Sequence, residues 1–410
     1  RYAGRGNNPY GDDRPYTGFV DNGKNGLLAF SMAAAASLTP DGEKSIYAQA
    51  RDSCAMKSFY TTTYMLHGHT GGGIGEIWRS AAMGLLHETK PNQYRDFMDS
   101  RQWHYDMSRR FNGSFGILGG GGYDTEKWGV AYPLAYTIPR KTLRIAGAPR
   151  TKFSKSYQLP KRPWGNDADD IFMSIQAVPD KNGKKQDMSG ETIAKDASMH
   201  FLTRFHGKQQ PSDDEIRKYI YHPEFNIRNI AACKALGLNP GYIGKRVSGG
   251  KVRMHLVMEF LQHKDPRVRR AMFTAMLSQT NAITPEIYAL AVKALKTPAE
   301  SWMVKDAALL LIARGSADQI APLIDLLIPY LKHEEAWLKR SALDALTPVV
   351  ADTRCYKKVI PAIGDLLRSN QRGSITVGLA PAIRAQFKNA SPDVQTLARK
   401  TLHESFTGYA

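Results

Sequence analysis

The chain has 410 residues, 42% of them hydrophobic, and 56 Lys and Arg against 38 Asp and Glu give a formal net charge of +18. That size and apolar content build large cores and point to two domains. No run of eighteen apolar residues exists, so no membrane span is expected. The three cysteines, Cys54, Cys233 and Cys355, have no CxxC spacing, which excludes a cysteine zinc motif and a disulfide framework and predicts buried thiols. Basic residues recur along the whole length, and the resulting positive field draws polyanions: nucleic acid, acidic or sulfated glycan, acidic protein. The chain begins at Arg1 without Met or an apolar leader. It therefore reads as a processed or excised piece of a longer precursor, with a secreted or periplasmic location favoured.

Residues 1–138 are glycine-dense, and five helices are predicted: Asn25–Leu38, Glu43–Tyr60, Ile74–Leu86, Pro91–Arg109 and Thr125–Ile138. The first, third and fifth are small and apolar on nearly all sides, the pattern of buried helices. The second and fourth are amphipathic and charged, the pattern of helices that pack over them. His67-Gly68-His69-Thr70-Gly71-Gly72-Gly73-Ile74-Gly75-Glu76-Ile77-Trp78 runs into the third helix. Two imidazoles, a carboxylate and an indole thus crowd a helix N-terminus, where free N–H groups and the helix dipole favour anions. Asp21–Gly26 opens the first helix and Gly119–Asp124 the fifth in a similar way.

Asn112-Gly113-Ser114-Phe115-Gly116, followed by Tyr123-Asp124-Thr125-Glu126-Lys127-Trp128-Gly129-Val130-Ala131-Tyr132, resembles the repeat of terpenoid-cyclase and protein-prenyltransferase α/α-toroids. In that repeat a Gly-Ser-Phe turn leads into an inner helix of small residues. Five helices make a partial toroid. The resemblance implies a pocket at the N-termini of the inner helices. His67, His69, Glu76, Tyr123 and Asp124 would do acid–base catalysis there, and Asn22, Lys24, Trp78, Arg79, Lys127 and Trp128 would bind substrate. Several toroid polysaccharide lyases use Tyr, His and Arg sets of this kind, and a basic chain suits an acidic or sulfated polysaccharide. Two other readings compete. His67-x-His69 with Glu76 or Asp124 would supply metal ligands, but neither HExxH nor a cysteine partner accompanies them, so no metal site is expected. Alternatively, the histidines bond the glycine backbone, the tryptophans fill the core and the glycines permit tight helix approach. Gly71–Gly75 follows no strand and lacks a phosphate-loop Lys-Ser/Thr, so no cofactor is expected.

Residues 139–187 read as a basic, proline-rich connector with a short helical turn at Asp167-x-Asp169-Asp170 and an exposed loop at Val178–Asp187. From 188 to 410 the sequence repeats. Ile227, Val268, Val304 and Leu338 anchor equivalent helices spaced by 41, 36 and 34 residues, each followed by a second apolar helix: Val252–Gln262, Pro285–Leu295, Gln319–Leu331 and Lys357–Leu367. A leading unit fits Glu191–His206 plus Ser212–His222, and a degenerate last one Ser374–Phe387 plus Pro392–Glu404. Two helices per period in the high thirties mark an α-solenoid. Asp265-Pro266-Arg267-Val268-Arg269 resembles the HEAT-repeat pattern.

The expected fold is all-α, a partial toroid followed by a HEAT-like solenoid, a combination that points to a bacterial protein. Three functions fit it. The chain would be a lyase or hydrolase acting on, or binding, an acidic or sulfated polysaccharide. It would otherwise be a non-catalytic scaffold that binds a protein partner or self-associates through the solenoid. The third, with nucleic acid the less favoured polyanion, uses a basic ridge of Arg267, Arg269, Arg270, Lys305, Lys339 and Arg340.

Overall fold

The computed structural model describes residues 24–60, 71–113, 136–140, 149, 151–152, 159–187, 210–240, 246–248, 250–369 and 380–407. Among the described residues the fold is all-α, apart from one antiparallel ribbon of two three-residue strands, β1 (Leu238–Pro240) and β2 (Arg246–Ser248). The chain divides into two compact units between Arg253 and Met254, inside the span predicted as solenoid.

In the first unit, α1 (Lys24–Ala36), α2 (Ile46–Tyr60), α3 (Gly71–Gly84) and α4 (Pro91–Ser108) match four predicted helices. Ala29, Cys54, Phe59, Ala82, Met83, Leu86 and Phe97 form their common core with no exposed surface. The predicted layering differs. α2, read as a covering helix, is buried on nearly every side and carries Arg51 and Lys57 inward, while α1, read as buried throughout, exposes Leu27 and Ser31. Ion pairs explain the inversion. Arg51 bonds Glu43 and Asp52, each at 2.8 Å, so a charged helix can still be internal. Gly26 sets the approach of α1 to α3, since a Cβ there would stand 2.3 Å from the Trp78 carbonyl oxygen. The next turn of α1 brings Phe30 into a cluster with Ala81 and edge-on to Trp78.

The predicted acidic turn is a short 3-10 helix, Asp170–Met173, and Arg162 bonds Asp167 and Asp170 in front of it. Further along this unit lie α5 (Asp213–Ile220), closed by a Ser212/Glu215 capping box, and α6 (Phe225–Ala235). The predicted helices Thr125–Ile138 and Glu191–His206 fall almost wholly outside the described residues.

The second unit contains α7 (Met254–Leu261), α8 (Pro266–Met276), α9 (Pro285–Lys296) and α10 (Trp302–Ile312). Residues 317–332 then form a broken helix: α11 (Ala317–Ile320), a 3-10 turn, α12 (Ile324–Leu327) and a second 3-10 turn. The continuous helix predicted there is interrupted because Pro322 and Pro329 have no N–H to continue the ladder. α13 (Ala336–Leu346), α14 (Tyr356–Arg368), α15 (Ala380–Phe387) and α16 (Pro392–Thr407) complete the chain. α8, α10 and α13 pack side by side in succession, each bringing its partner helix with it. Val268, Val304 and Leu338, the predicted anchors, have no exposed surface, and Ile227 in α6 is equally buried. Asp265, read in sequence as a helix start, and Thr284, Ser301 and Ser316, which were not, each accept a bond from the first turn of the helix they precede.

Candidate functional site

Of the expected pocket residues, Asn22, His67, His69, Tyr123, Asp124, Lys127 and Trp128 lie outside the described residues, and Lys24 and Glu76 are placed only as helical backbone. Trp78 and Arg79 are described. Trp78 is half-buried with its ring 6.0 Å from that of Phe30, and Arg79 has no exposed surface. The glycines expected to form a loop before α3 are its first turn, since the helix begins at Gly71. A glycine costs a helix interior about 0.5–1 kcal/mol relative to alanine, so propensity opposes this first turn.

Behind this region Tyr105 Oη donates to Ser80 Oγ at 2.8 Å, next to Arg79 in sequence, and stacks edge-on against Tyr136. Burial raises the Tyr136 phenol above its ordinary value, with Asp106 and Asp99 adding to the shift, so it stays protonated at neutral pH.

A second charged cluster, not anticipated from the sequence, joins α2 to the start of α6. Lys57 Nζ lies 3.6 Å from Glu224, with both side chains buried, and Tyr60 packs edge-on against His222 at 4.8 Å. His222 Nδ1 accepts the Glu224 N–H at 2.9 Å, and buried Arg228 donates to the His222 and Pro223 carbonyl oxygens. The one signal in sequence was a lysine at a position surrounded by core residues. This cluster has the acids and bases of an active site without access to solvent, and its chemistry is cohesion between distant segments. Nearby, burial lowers the affinity of the Lys234 amine for its proton.

In the second unit the basic ridge is not a free surface. Arg267, Arg270 and Lys339 are buried, and Arg267 pairs with Asp265 at 2.7 Å. Arg269 grips both oxygens of Glu300, at 2.7 and 2.6 Å, and also the His263 carbonyl oxygen. Lys305 donates to the Pro298 carbonyl oxygen, and Arg340 lies 3.8 Å from Asp344. Arg267, Arg269 and Lys305 thus serve the turns that start helices, and with Arg270 and Lys339 buried the six do not form the continuous exposed ridge that was expected. The turns share a device: His222, His263 and His333 each accept, through Nδ1, the N–H of the acidic residue two positions on.

The three cysteines are buried, and none forms a disulfide. Among the described residues no three His, Cys, Asp or Glu side chains come together as a metal would require, and no helix is long and apolar enough to cross a membrane.

A protein family described as a domain of unknown function (DUF6288) matches residues 1–147, about a third of the chain. The match covers α1 to α4 and the glycine-rich passages between and after them. No curated protein and no solved structure matches the chain.

Proposed function

We propose that this chain is a non-catalytic helical scaffold, toroid-like over 1–138, with a connector over 139–187 and a HEAT-like solenoid over 188–410 that binds a protein partner. The observation that carries this reading is the succession α8, α10, α13, whose buried anchors and repeated helix-start turns make each pair a platform for the next. Stacked repeats of this kind present extended binding surfaces. The charged side chains described in detail support it too, because those of α2, α6 and α8 are consumed in packing contacts. Light scattering on dilute protein tests the mode of use. A mass constant near 45.6 kDa is expected for a scaffold awaiting another protein. A mass that climbs with concentration would make self-association the function instead.

A second reading keeps the acidic-polysaccharide pocket in the toroid-like part. The close packing of α1 on α3 at Gly26 and Phe30 favours it, because inner helices of a toroid pack side by side. On that reading His67, His69, Glu76, Tyr123 and Asp124 do the chemistry. His69→Ala and Asp124→Ala would then abolish turnover of a uronate-bearing or sulfated glycan while leaving the fold intact. Retained turnover in either variant would remove its assigned role.

A further inference from the structure

We propose that the cleft between α9 and the broken helix 317–332 is a docking groove for an acidic, amphipathic peptide segment of a partner protein. The proposal deepens the scaffold reading and rests on it. The cleft has a volume of about 540 Å³, and Pro285, Ala289, Val292, Lys293 and Lys296 line it from α9. Their spacing of four, three, one and three residues places them along one face of a single helix. α9 therefore has two working faces. Ile287, Ala291 and Leu295 are buried, while Ala289, Lys293 and Lys296 remain exposed beside half-buried Val292. Leu323 and Gln319 form the opposite wall, where the chain turns at Pro322. Tyr330 Oη donates to the Leu295 carbonyl oxygen at 3.0 Å, which fixes the C-terminal end of α9 to the segment across the cleft.

Charge selects the occupant. Among the described residues no carboxylate lines the cleft, and neither the Lys293 nor the Lys296 ammonium group has an ion-pair or hydrogen-bond partner. The acids of the facing segment are engaged elsewhere: Asp318 with Arg354 and Asp325 with Lys358, each at 2.8 Å. Two uncompensated ammonium groups flank an apolar strip of Pro285, Ala289, Val292 and Leu323. A ligand that satisfies both must present carboxylates beside aliphatic side chains, which an acidic amphipathic helix does and a uniformly polar glycan does not. The strip from Pro285 to Lys296 extends for about 16 Å, or about three helical turns, enough for one short recognition helix.

The experiment is a fluorescence-anisotropy titration of the full chain with a labelled synthetic peptide carrying Leu at helical spacing and Glu on the flanks. A version with Gln replacing every Glu and a sulfated oligosaccharide serve as competing probes. The acidic peptide is expected to bind, the Gln version about tenfold more weakly, and Lys293→Glu/Lys296→Glu to weaken the acidic peptide by about tenfold or more. Val292→Asp should weaken both peptides, and reversal of exposed Lys388, which does not line the cleft, should change affinity by less than about twofold. Circular dichroism confirms that each variant is folded. No peptide binding, or equal binding by wild type and Lys293→Glu/Lys296→Glu, would overturn the groove. Oligosaccharide binding in place of peptide binding, lost in that double variant, would overturn the peptide as occupant. Glycan turnover would end the scaffold reading itself, whereas loss of peptide binding without turnover ends this proposal alone.

Discussion

Ser341 Oγ donates to Asp306 Oδ1 at 2.5 Å inside the interface between α13 and α10, with both residues buried and 35 positions apart in the chain. Trp302 and Trp337, also one repeat apart, meet edge-on at 5.9 Å in the same interface. A polar tie and an aromatic tie thus join equivalent positions of successive repeats. The carboxylate accepts from a hydroxyl that has lost its water, so neither partner can be removed cheaply.

Ser341→Ala should destabilise the second unit by about 1.5–3 kcal/mol, the range for a hydrogen bond to a charged group. Urea denaturation followed by fluorescence in a background whose other four tryptophans are replaced by Phe, so that Trp302 and Trp337 report alone, reads this as a lowered midpoint. A change below about 0.5 kcal/mol, the scatter of ordinary surface substitutions, would show that the interface does not depend on the bond.

Gly26→Ala tests how closely α1 and α3 approach. The new methyl group would meet the backbone of Trp78 and Arg79, which cannot rotate away as a side chain would. Overpacking of this kind costs about 1–3 kcal/mol, and a fall in thermal midpoint should report it. Stability equal to wild type would mean that the helices can separate freely at this crossing.

Acid should loosen the second unit through its helix-start turns. Burial holds the His263 and His333 imidazoles below the ordinary value of 6.5. The unfolded chain therefore takes up these protons at a higher pH than the folded one. The stability they contribute is complete above about pH 6.5 and is lost as pH falls through the depressed folded values. Wild type should lose stability between pH 7.5 and 5, and His263→Asn/His333→Asn should lose less. Parallel curves for the two proteins would assign the acid sensitivity to other groups.

Lys57 and Glu224 should show strong coupling. Removing one partner of a buried pair costs about 3–5 kcal/mol because the other is left behind, and replacing both by apolar residues costs less than the sum. Lys57→Met, Glu224→Leu and the double variant, compared by denaturation, give the coupling directly. Additive losses would show that the pair at 3.6 Å contributes little.

Helix starts in the second unit were legible in sequence because their signals are local. Asp265-Pro266, Thr284-Pro285 and Ser301-Trp302 join a cap to an apolar period, and the structure starts α8, α9 and α10 at those points. The position of α2 was not legible. Lys57 is neutralised by a residue far along the chain, and a periodicity reading sees only the charge. The broken helix 317–332 carried its own signal in Pro322 and Pro329, outweighed by the apolar run around them. The burial of Arg267, Arg270 and Lys339 within the expected ridge was not legible either. Positions recur in sequence, but whether a cation reaches water depends on acids such as Glu300 that arrive from the next repeat.

The scaffold account is tested most directly by the chain-length distribution of a uronate-bearing polysaccharide and a sulfated polysaccharide after prolonged incubation with the full protein. The account predicts both polymers intact, with wild type and His69→Ala/Asp124→Ala indistinguishable. Shortening by wild type that disappears in the double variant would contradict it and establish the toroid-like part as an enzyme.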